Sequence, residues 1–474
     1  MYLSKQSFLV LGLSRSGTAA AEFLLKAKSK VYLYDDVDGE NIRASRQKLE
    51  TLGAEWLEKE KLTQSVEICD ALVISPGIPI DHPLAVLYKR SGKAVLGETE
   101  LAARVLKSPL VAVTGTNGKT TTVSMLAKIF IGSGIKAVAC GNIGTPMIGI
   151  VESEPELAVA EISSFQMETL NSLRPHAAVV LNISEDHLSR HYSMENYIFL
   201  KRKLLKNLTE TEFAVLNYDD NIVRGFADGC KARIVWISTR EKVNGAYLEN
   251  GELFYYGEKI LTADELLLGG LHNIQNALAA IAVSKIFGVE TSAIAGALTS
   301  FKGVKHRIEE VGVFDGVTYI DDSKGTNADA TLKAVACMKS DTVLLLGGKD
   351  KGYEYKTLFS ALKTSRVVSA VLYGENRYKL LEAARETGFE PLTVCTKFAE
   401  AVSIAKMVAK KGQTVLLSPA SASFDEFAGY EERGERFVSI IQSFNGKTTN
   451  ARKYGDDESD IVKDDVCFDE SQAE

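Results

Sequence analysis

Gly115-Thr116-Asn117-Gly118-Lys119-Thr120-Thr121 stands between the apolar run Leu110-Val111-Ala112-Val113 and a helix-period segment. Small residues at such a junction let backbone N–H groups and a helix N-terminus approach phosphate oxygens. A lysine adds a point charge, and a threonine hydroxyl can ligate Mg2+. A full Walker A loop wants one more glycine at 113, where this chain has Val113, so the match is to a shortened phosphate loop. A second glycine turn, Gly12-Leu13-Ser14-Arg15-Ser16-Gly17, also follows a strand-like run and opens a helix, with Asp35 closing the next strand. It has the outline of a dinucleotide fingerprint, but Ser14 replaces the glycine that lets a pyrophosphate approach the backbone. Another nucleotide, NAD or a plain structural turn all remain open readings of it.

Glu161 in Ala160-Glu161-Ile162-Ser163-Ser164-Phe165 and His187 in Asn182-Ile183-Ser184-Glu185-Asp186-His187 both follow strand-like runs of the unit that carries the phosphate loop. The C-terminal ends of parallel strands converge on one crevice. A carboxylate there can take Mg2+ directly, whereas His is an unusual Mg2+ ligand, so His187 reads equally as ligand or as structural histidine. Lys201, on the following helix, would by spacing alone be a solvated lysine, as would Lys324 and Lys351.

These groups need a scaffold. Short β-rich runs alternate with helix-period segments, the pattern of parallel sheets with crossover helices, so the fold class is α/β. Three α/β domains are expected: 1–96 with a Rossmann-like sheet, 97–300 as a P-loop-type unit closed by an Ala-rich helix over 271–287, and 301–445, again Rossmann-like. The first unit's helix is expected over about 17–28. At 474 residues, with 45% hydrophobic and 25% charged residues, the chain can bury several cores, and wholesale disorder is excluded. The net charge is −7, and Ala451–Glu474 alone holds nine acids and three bases. The body is therefore nearly neutral, which excludes a basic nucleic-acid footprint. Residues 446–474 are expected to be a disordered, solvated acidic tail. Mean hydropathy is −0.02 and no run approaches a membrane span, so no membrane insertion is expected. The N-terminus lacks the marks of a signal peptide, which predicts a cytoplasmic protein. The six scattered cysteines form no metal or redox pattern.

Taken together these segments resemble the Mur ligase superfamily over nearly all of residues 1–445, and within it the D-glutamate-adding branch. The resemblance rests on the Gly12-x4-Gly17 turn, Ser75-Pro76-Gly77-Ile78, the loop 115–121, Gly141-Asn142-Ile143-Gly144 and Glu161-Ile162-Ser163-Ser164-Phe165-Gln166. It continues through Leu271-His272-Asn273-Ile274-Gln275-Asn276-Ala277, His306-Arg307-Ile308-Glu309, Asp322-Ser323-Lys324 and Ser418-Pro419-Ala420-Ser421-Ala422-Ser423.

The resemblance implies an ATP-dependent ligase that joins D-glutamate to UDP-N-acetylmuramoyl-L-alanine through an acyl phosphate, in the synthesis of peptidoglycan precursors and hence of the cell wall. It implies Lys119, Glu161, His187 and Lys201 as catalytic residues, with Thr120, Glu161, His187 and Lys201 serving two Mg2+ sites and Lys201 carbamylated. It puts ATP on Gly115, Thr116, Asn117, Gly118, Lys119, Thr120, Thr121, Asn273, Arg307 and Asp322. Ser14, Asp35, Ser75 and Asn142 would face the UDP-sugar substrate, and Lys324, Lys351, Ser423 and Tyr430 would receive D-glutamate. The expected enzyme is a monomer that binds neither nucleic acid nor membrane. Two rival readings stand beside it: another Mur-type or folylpolyglutamate-type ligase, and a non-catalytic P-loop nucleotide-binding regulator.

Overall fold

The computed structural model describes residues 3–350 and 352–444. Lys351 and the acidic segment 446–474 lie outside the described residues. Three sheets organise the described residues. In the first, strands Lys30–Tyr34, Ser7–Leu11, Ala71–Ile74 and Ala94–Gly97 lie side by side in that order, all parallel, with the short Glu55–Trp56 at one edge. Phe8–Leu11 and Ala71–Ile74 are buried along their whole length. Apolar runs without alternation are what a sheet covered on both faces requires.

The second sheet has nine strands, with Leu110–Thr114 between Leu157–Glu161 and Ala177–Val180. The chain leaves Leu110–Thr114, builds Ala137–Gly141 and Leu157–Glu161 on one side, then crosses to Ala177–Val180 on the other. That reversal opens a crevice at the C-terminal ends of these strands. Helix Lys119–Gly132 buries Val123, Met125, Leu126, Ile129 and Phe130. It packs on Leu271–Ile286, where Ala277–Val283 is an unbroken buried run. Being apolar nearly all round, both helices are interior elements, which fixes the start of Lys119–Gly132 rigidly over the sheet.

The third sheet is parallel except for its edge strand Glu309–Phe314, antiparallel to Val317–Asp321. Antiparallel pairing also extends the second sheet, through the hairpins Gly245–Glu249 to Glu252–Tyr255 and on to Glu258–Thr262. The sequence reading had not assigned these strands. The helix expected over 17–28 begins earlier, at Arg15, and ends at Lys26.

The cores are joined unequally. Buried residues of the first sheet, including Phe8, Val10 and Leu33, share one cluster with Ala112 of the second sheet, with Met147, Ile162 and Leu204 packed beside that sheet, and with Leu101 and Ala102. The third sheet's cores are separate clusters. The third domain is thus the one held by polar contacts rather than by a shared core. No helix among the described residues is long and apolar enough to cross a membrane.

Candidate functional site

The phosphate loop leaves the central strand at Gly115, with φ +154°, and turns into its helix at Gly118, with φ +87°. A Cβ at 118 would also fall 2.3 Å from the Asn276 side-chain oxygen, so backbone angle and space both demand glycine. Asn182 at the end of the neighbouring strand steadies the loop. Its backbone oxygen accepts from Thr116 N at 2.9 Å, and its side-chain oxygen accepts from Asn117 N at 2.8 Å. Lys119 curls back and donates to the carbonyls of Gly115 (2.9 Å) and Thr116 (2.8 Å). Its ammonium therefore sits over the concavity that the loop backbone frames.

Glu161 ends the adjacent strand in register with Val113 and is 1% exposed. The Thr120 hydroxyl donates to one carboxylate oxygen at 2.7 Å and the Asn142 amide to the other at 2.8 Å. Burial acts to raise its pKa, but Lys324, Lys119 and these two hydrogen bonds outweigh it and hold the group below the usual carboxylate range. A buried ionised carboxylate beside a threonine hydroxyl is a hard-oxygen donor set, which suits Mg2+.

His187 adopts the left-handed conformation, φ +56°, which turns its ring toward Phe165, 4.7 Å away between centroids. Its Nε2 lies 3.5 Å from the Asp186 carboxylate. Lys201 is 1% exposed and donates to Gly115 O at 2.7 Å and Thr114 Oγ1 at 3.2 Å, beneath the phosphate loop. Burial, with Lys119 nearby, drives its pKa well below that of an ordinary lysine. Far from being a solvated lysine, it is a buried amine with much of its proton affinity lost.

Lys119, Asn142, His187 and Lys201 from the central domain face Ser423 and Tyr430 from the third across one cavity of about 320 Å3. Lys324 reaches it from the same side, its Nζ donating to Tyr430 Oη at 3.1 Å and lying over the Tyr430 ring. Burial lowers the Lys324 pKa to about 8 against the pull of Glu161. A narrower cavity between the two domains is lined by Asn117, Gly118, Asn276, Arg307, Asp322 and Lys333. Asp322 is buried and accepts from Ser418 Oγ at 2.7 Å, and burial raises its pKa to about 7. Asn273 stands back from this cavity, its amide donating to Gly269 O at 2.9 Å, while its neighbour Asn276 forms the wall. Thr121 is buried within the helix.

Ser14, Asp35 and Ser75 of the first domain line neither of these cavities. Ser75 Oγ donates to Gly12 O at 2.8 Å and Ser14 Oγ lies 3.4 Å from Ser75 Oγ, which folds the two loops together. Asp35 accepts from the backbone N–H of Leu13 (2.7 Å) and Val37 (2.9 Å), so here its carboxylate shapes the turn. Arg190 of the central domain reaches across to this loop. It donates to Ile78 O at 2.7 Å while its guanidinium forks onto Glu168 at 2.9 and 2.6 Å.

Several residues of the site were not singled out by type and spacing. Asp329 accepts from the phosphate-loop side chain of Asn117 and from Ser184 Oγ at 3.1 Å. Tyr197, one helical turn before Lys201, meets Thr116 Oγ1 at 3.0 Å. That i, i+4 spacing on one helix face was the available signal. Asp186 and Tyr353, whose hydroxyl donates to Asp186 at 2.7 Å, carried no signal of their own.

Comparison with known proteins gives a consistent match. Residues 113–284 match the Mur ligase middle domain, and residues 306–421 match the Mur ligase glutamate ligase domain. A UDP-N-acetylmuramoylalanine–D-glutamate ligase from Pelotomaculum thermopropionicum is 41% identical over 454 residues, covering 93% of this chain and 98% of that one. The ligase of the same name from Clostridioides difficile is 38% identical over 450 residues, covering 94% and 100%. Among solved structures, the UDP-N-acetylmuramate–alanine ligase from Thermotoga maritima superposes with a TM-score of 0.61 at 19% identity, covering 93% of this chain and all of that one. This last likeness concerns the fold.

Proposed function

The chain belongs to the Mur ligase family, and on that footing we propose that it joins D-glutamate to UDP-N-acetylmuramoyl-L-alanine at the expense of ATP, in the synthesis of peptidoglycan precursors. The observation that carries the reading is the shared cavity. Phosphate-binding residues of the central domain and Lys324, Ser423 and Tyr430 of the third line one space, so an activated carboxylate and an incoming amino acid can meet there.

In this reading the L-alanyl carboxylate attacks the γ-phosphorus of ATP. The bond to ADP breaks, and the resulting acyl phosphate is attacked by the D-glutamate amine. Phosphate leaves as the amide forms and the amine loses its proton. The protein's part is positioning and charge neutralisation. The loop N–H groups and Lys119 bind the phosphates, and Asn142, Ser14, Asp35 and Ser75 align the UDP-sugar substrate. Arg307, Asp322 and the Asn273–Asn276 helix turn hold the nucleoside, while Lys324, Ser423, Tyr430 and Lys351 hold the D-glutamate carboxylates. Thr120, Glu161 and His187 would hold Mg2+, which offsets the repulsion between phosphates and the attacking carboxylate. Lys201 is suited to carbamylation: burial disfavours its charged form, and the amine in its neutral form can add CO2 and lose a proton, giving an anion for a second Mg2+ site. The domain division at 96/97 and 300/301 assigns the sugar nucleotide, ATP and D-glutamate to successive units. All three come from one chain, which supports a monomer, and a cytoplasmic location belongs to the same reading.

The test is phosphate release from ATP and Mg2+ with UDP-N-acetylmuramoyl-L-alanine, offering D-glutamate, L-glutamate, L-lysine and diaminopimelate separately. Release with D-glutamate alone is expected. Release with another amino acid would move the chain to a different branch of the family, and no release with any would favour a nucleotide-binding regulator.

A further inference from the structure

The helix Met194–Arg202, which carries Lys201 into the site, presents its far end to a second cavity outside it. This cavity, of about 410 Å3, is floored by Leu205, Leu208 and Phe226, and Phe199 at its mouth is 62% exposed. Arg202, Lys203, Lys206 and Lys231 stand around it. Among the described residues no carboxylate lies within ion-pair distance of these four cations. Their hydrogen bonds go to neutral groups instead: Arg202 to Asp228 O, Lys203 to Met167 O, and Lys206 to the Asn171 side-chain oxygen at 2.9 Å. An apolar floor ringed by cations that lack an ion-paired carboxylate among the described residues selects an acidic segment with apolar side chains.

We propose that the occupant is this chain's own segment Asp464-Asp465-Val466-Cys467-Phe468-Asp469-Glu470. Four carboxylates flank its apolar centre, matching four cations around an apolar floor. Val466 and Phe468 share a face when the segment is extended, so both can enter the cavity together. Reach is sufficient. From Phe444, the last described residue, the chain to Phe468 spans up to about 80 Å, against a radius of gyration of about 23 Å for a compact chain of this length. The inference is independent of the ligase reading.

Two native cysteines make the test direct, since Cys467 lies in the segment and Cys230 lines the cavity. The full chain is treated with a short bis-maleimide and the links are mapped by mass spectrometry, with Cys337 and Cys395, equally half-buried, as internal controls. Cys230–Cys467 is expected to dominate, and to fall about tenfold in the Lys203→Glu/Lys206→Glu double variant, where attraction becomes repulsion. It should fall similarly at about 1 M salt, where screening shortens to about 3 Å. Phe468→Ser, a change on the segment rather than on the folded body, should lower it as well. Equal linkage of Cys467 to Cys337 and Cys395, or a yield indifferent to all three changes, overturns the proposal. So does linkage found only between isotopically heavy and light chains in a mixture, which would make the occupant a second copy.

Discussion

The side-chain amide of Asn327 in the third domain donates to the Asp186 carboxylate of the central domain at 3.1 Å, across the cleft in which the cavities lie. Tyr353 donates to the same carboxylate at 2.7 Å, and Asp186 also accepts from its neighbour's backbone, His187 N, at 2.9 Å. One carboxylate therefore ties the closing domain to the backbone that orients His187. Among the described residues the third sheet's cores are separate from the others, so such polar ties help seat the third domain against the central one. The cavity at Arg307 and Asp322 is about 30 Å3. Bound cofactors need hundreds of Å3, so on the proposed reading the third domain would have to withdraw for a nucleotide to enter here and return for the chemistry.

Tyr353→Phe removes the hydroxyl's charge-assisted hydrogen bond to Asp186, whose carboxylate lines the larger cavity, and keeps the ring in place. Such a bond contributes about 1.5–3 kcal/mol, so kcat should drop about tenfold or more. The unfolding midpoint should stay near that of the wild type. Steady-state kinetics beside thermal melts separates the two, and an unchanged kcat would remove the joint from the rate-determining closure.

Glu161→Gln keeps the shape of the buried side chain and deletes its charge. The carboxylate that Thr120 and Asn142 hold in place is a hard anionic donor beside the phosphate loop, so on the proposed reading Mg2+-dependent stabilisation of the transferring phosphoryl group should be largely lost. A fall in kcat of about 10³ or more is expected, with circular dichroism unchanged. Calorimetry with a non-hydrolysable ATP analogue should show weaker Mg2+-dependent binding; full activity would take Glu161 out of the site.

Lys324 gives a pH signature. Its folded pKa, lowered by burial to about 8 from an ordinary 10.5, means the cation predominates at pH 7 and is lost as pH rises through about 8. If this ammonium receives a D-glutamate carboxylate, KM for D-glutamate should climb about tenfold per pH unit above that value, while KM for ATP stays flat. Lys324→Arg, which keeps its charge throughout, should flatten the rise even if it lowers kcat. Initial-rate measurements from pH 7 to 10 decide it.

Much of this arrangement was legible in the chain, and the legible part has a common physical basis. Gly115, Gly118, Lys119 and Thr120 belong to a loop whose chemistry requires contiguous residues, and strands buried on both faces announce themselves as unbroken apolar runs. The antiparallel hairpins went unread, although Asn250-Gly251 is a favoured hairpin pair; Tyr256-Gly257 is not one. Both of these pairs adopt positive φ, the mark of a two-residue hairpin turn. What no spacing revealed was convergence. Lys201 resembles any surface lysine until the fold buries it under Gly115, and Asp186, Asp329 and Tyr353 gain meaning only when the third domain meets the second.

Arg433 tests how far that convergence depends on support from behind. It is fully buried, and its guanidinium donates to Ser323 Oγ and to the carbonyls of Ser323, Ser421 and Ala422 at 2.8–3.1 Å. These carbonyls belong to the two loops that carry Lys324 and Ser423. Only a planar fork can serve both loops at once, which a lysine's single ammonium cannot do. Arg433→Lys should therefore leave a folded protein with a lower melting temperature, because buried acceptors are left unsatisfied at about 1–3 kcal/mol. It should also raise KM for D-glutamate severalfold while leaving nucleotide binding to Asn117 and Gly118 intact. Equilibrium binding of ATP measured beside D-glutamate kinetics distinguishes this from general destabilisation. If both affinities fall together, the role of Arg433 is stability alone.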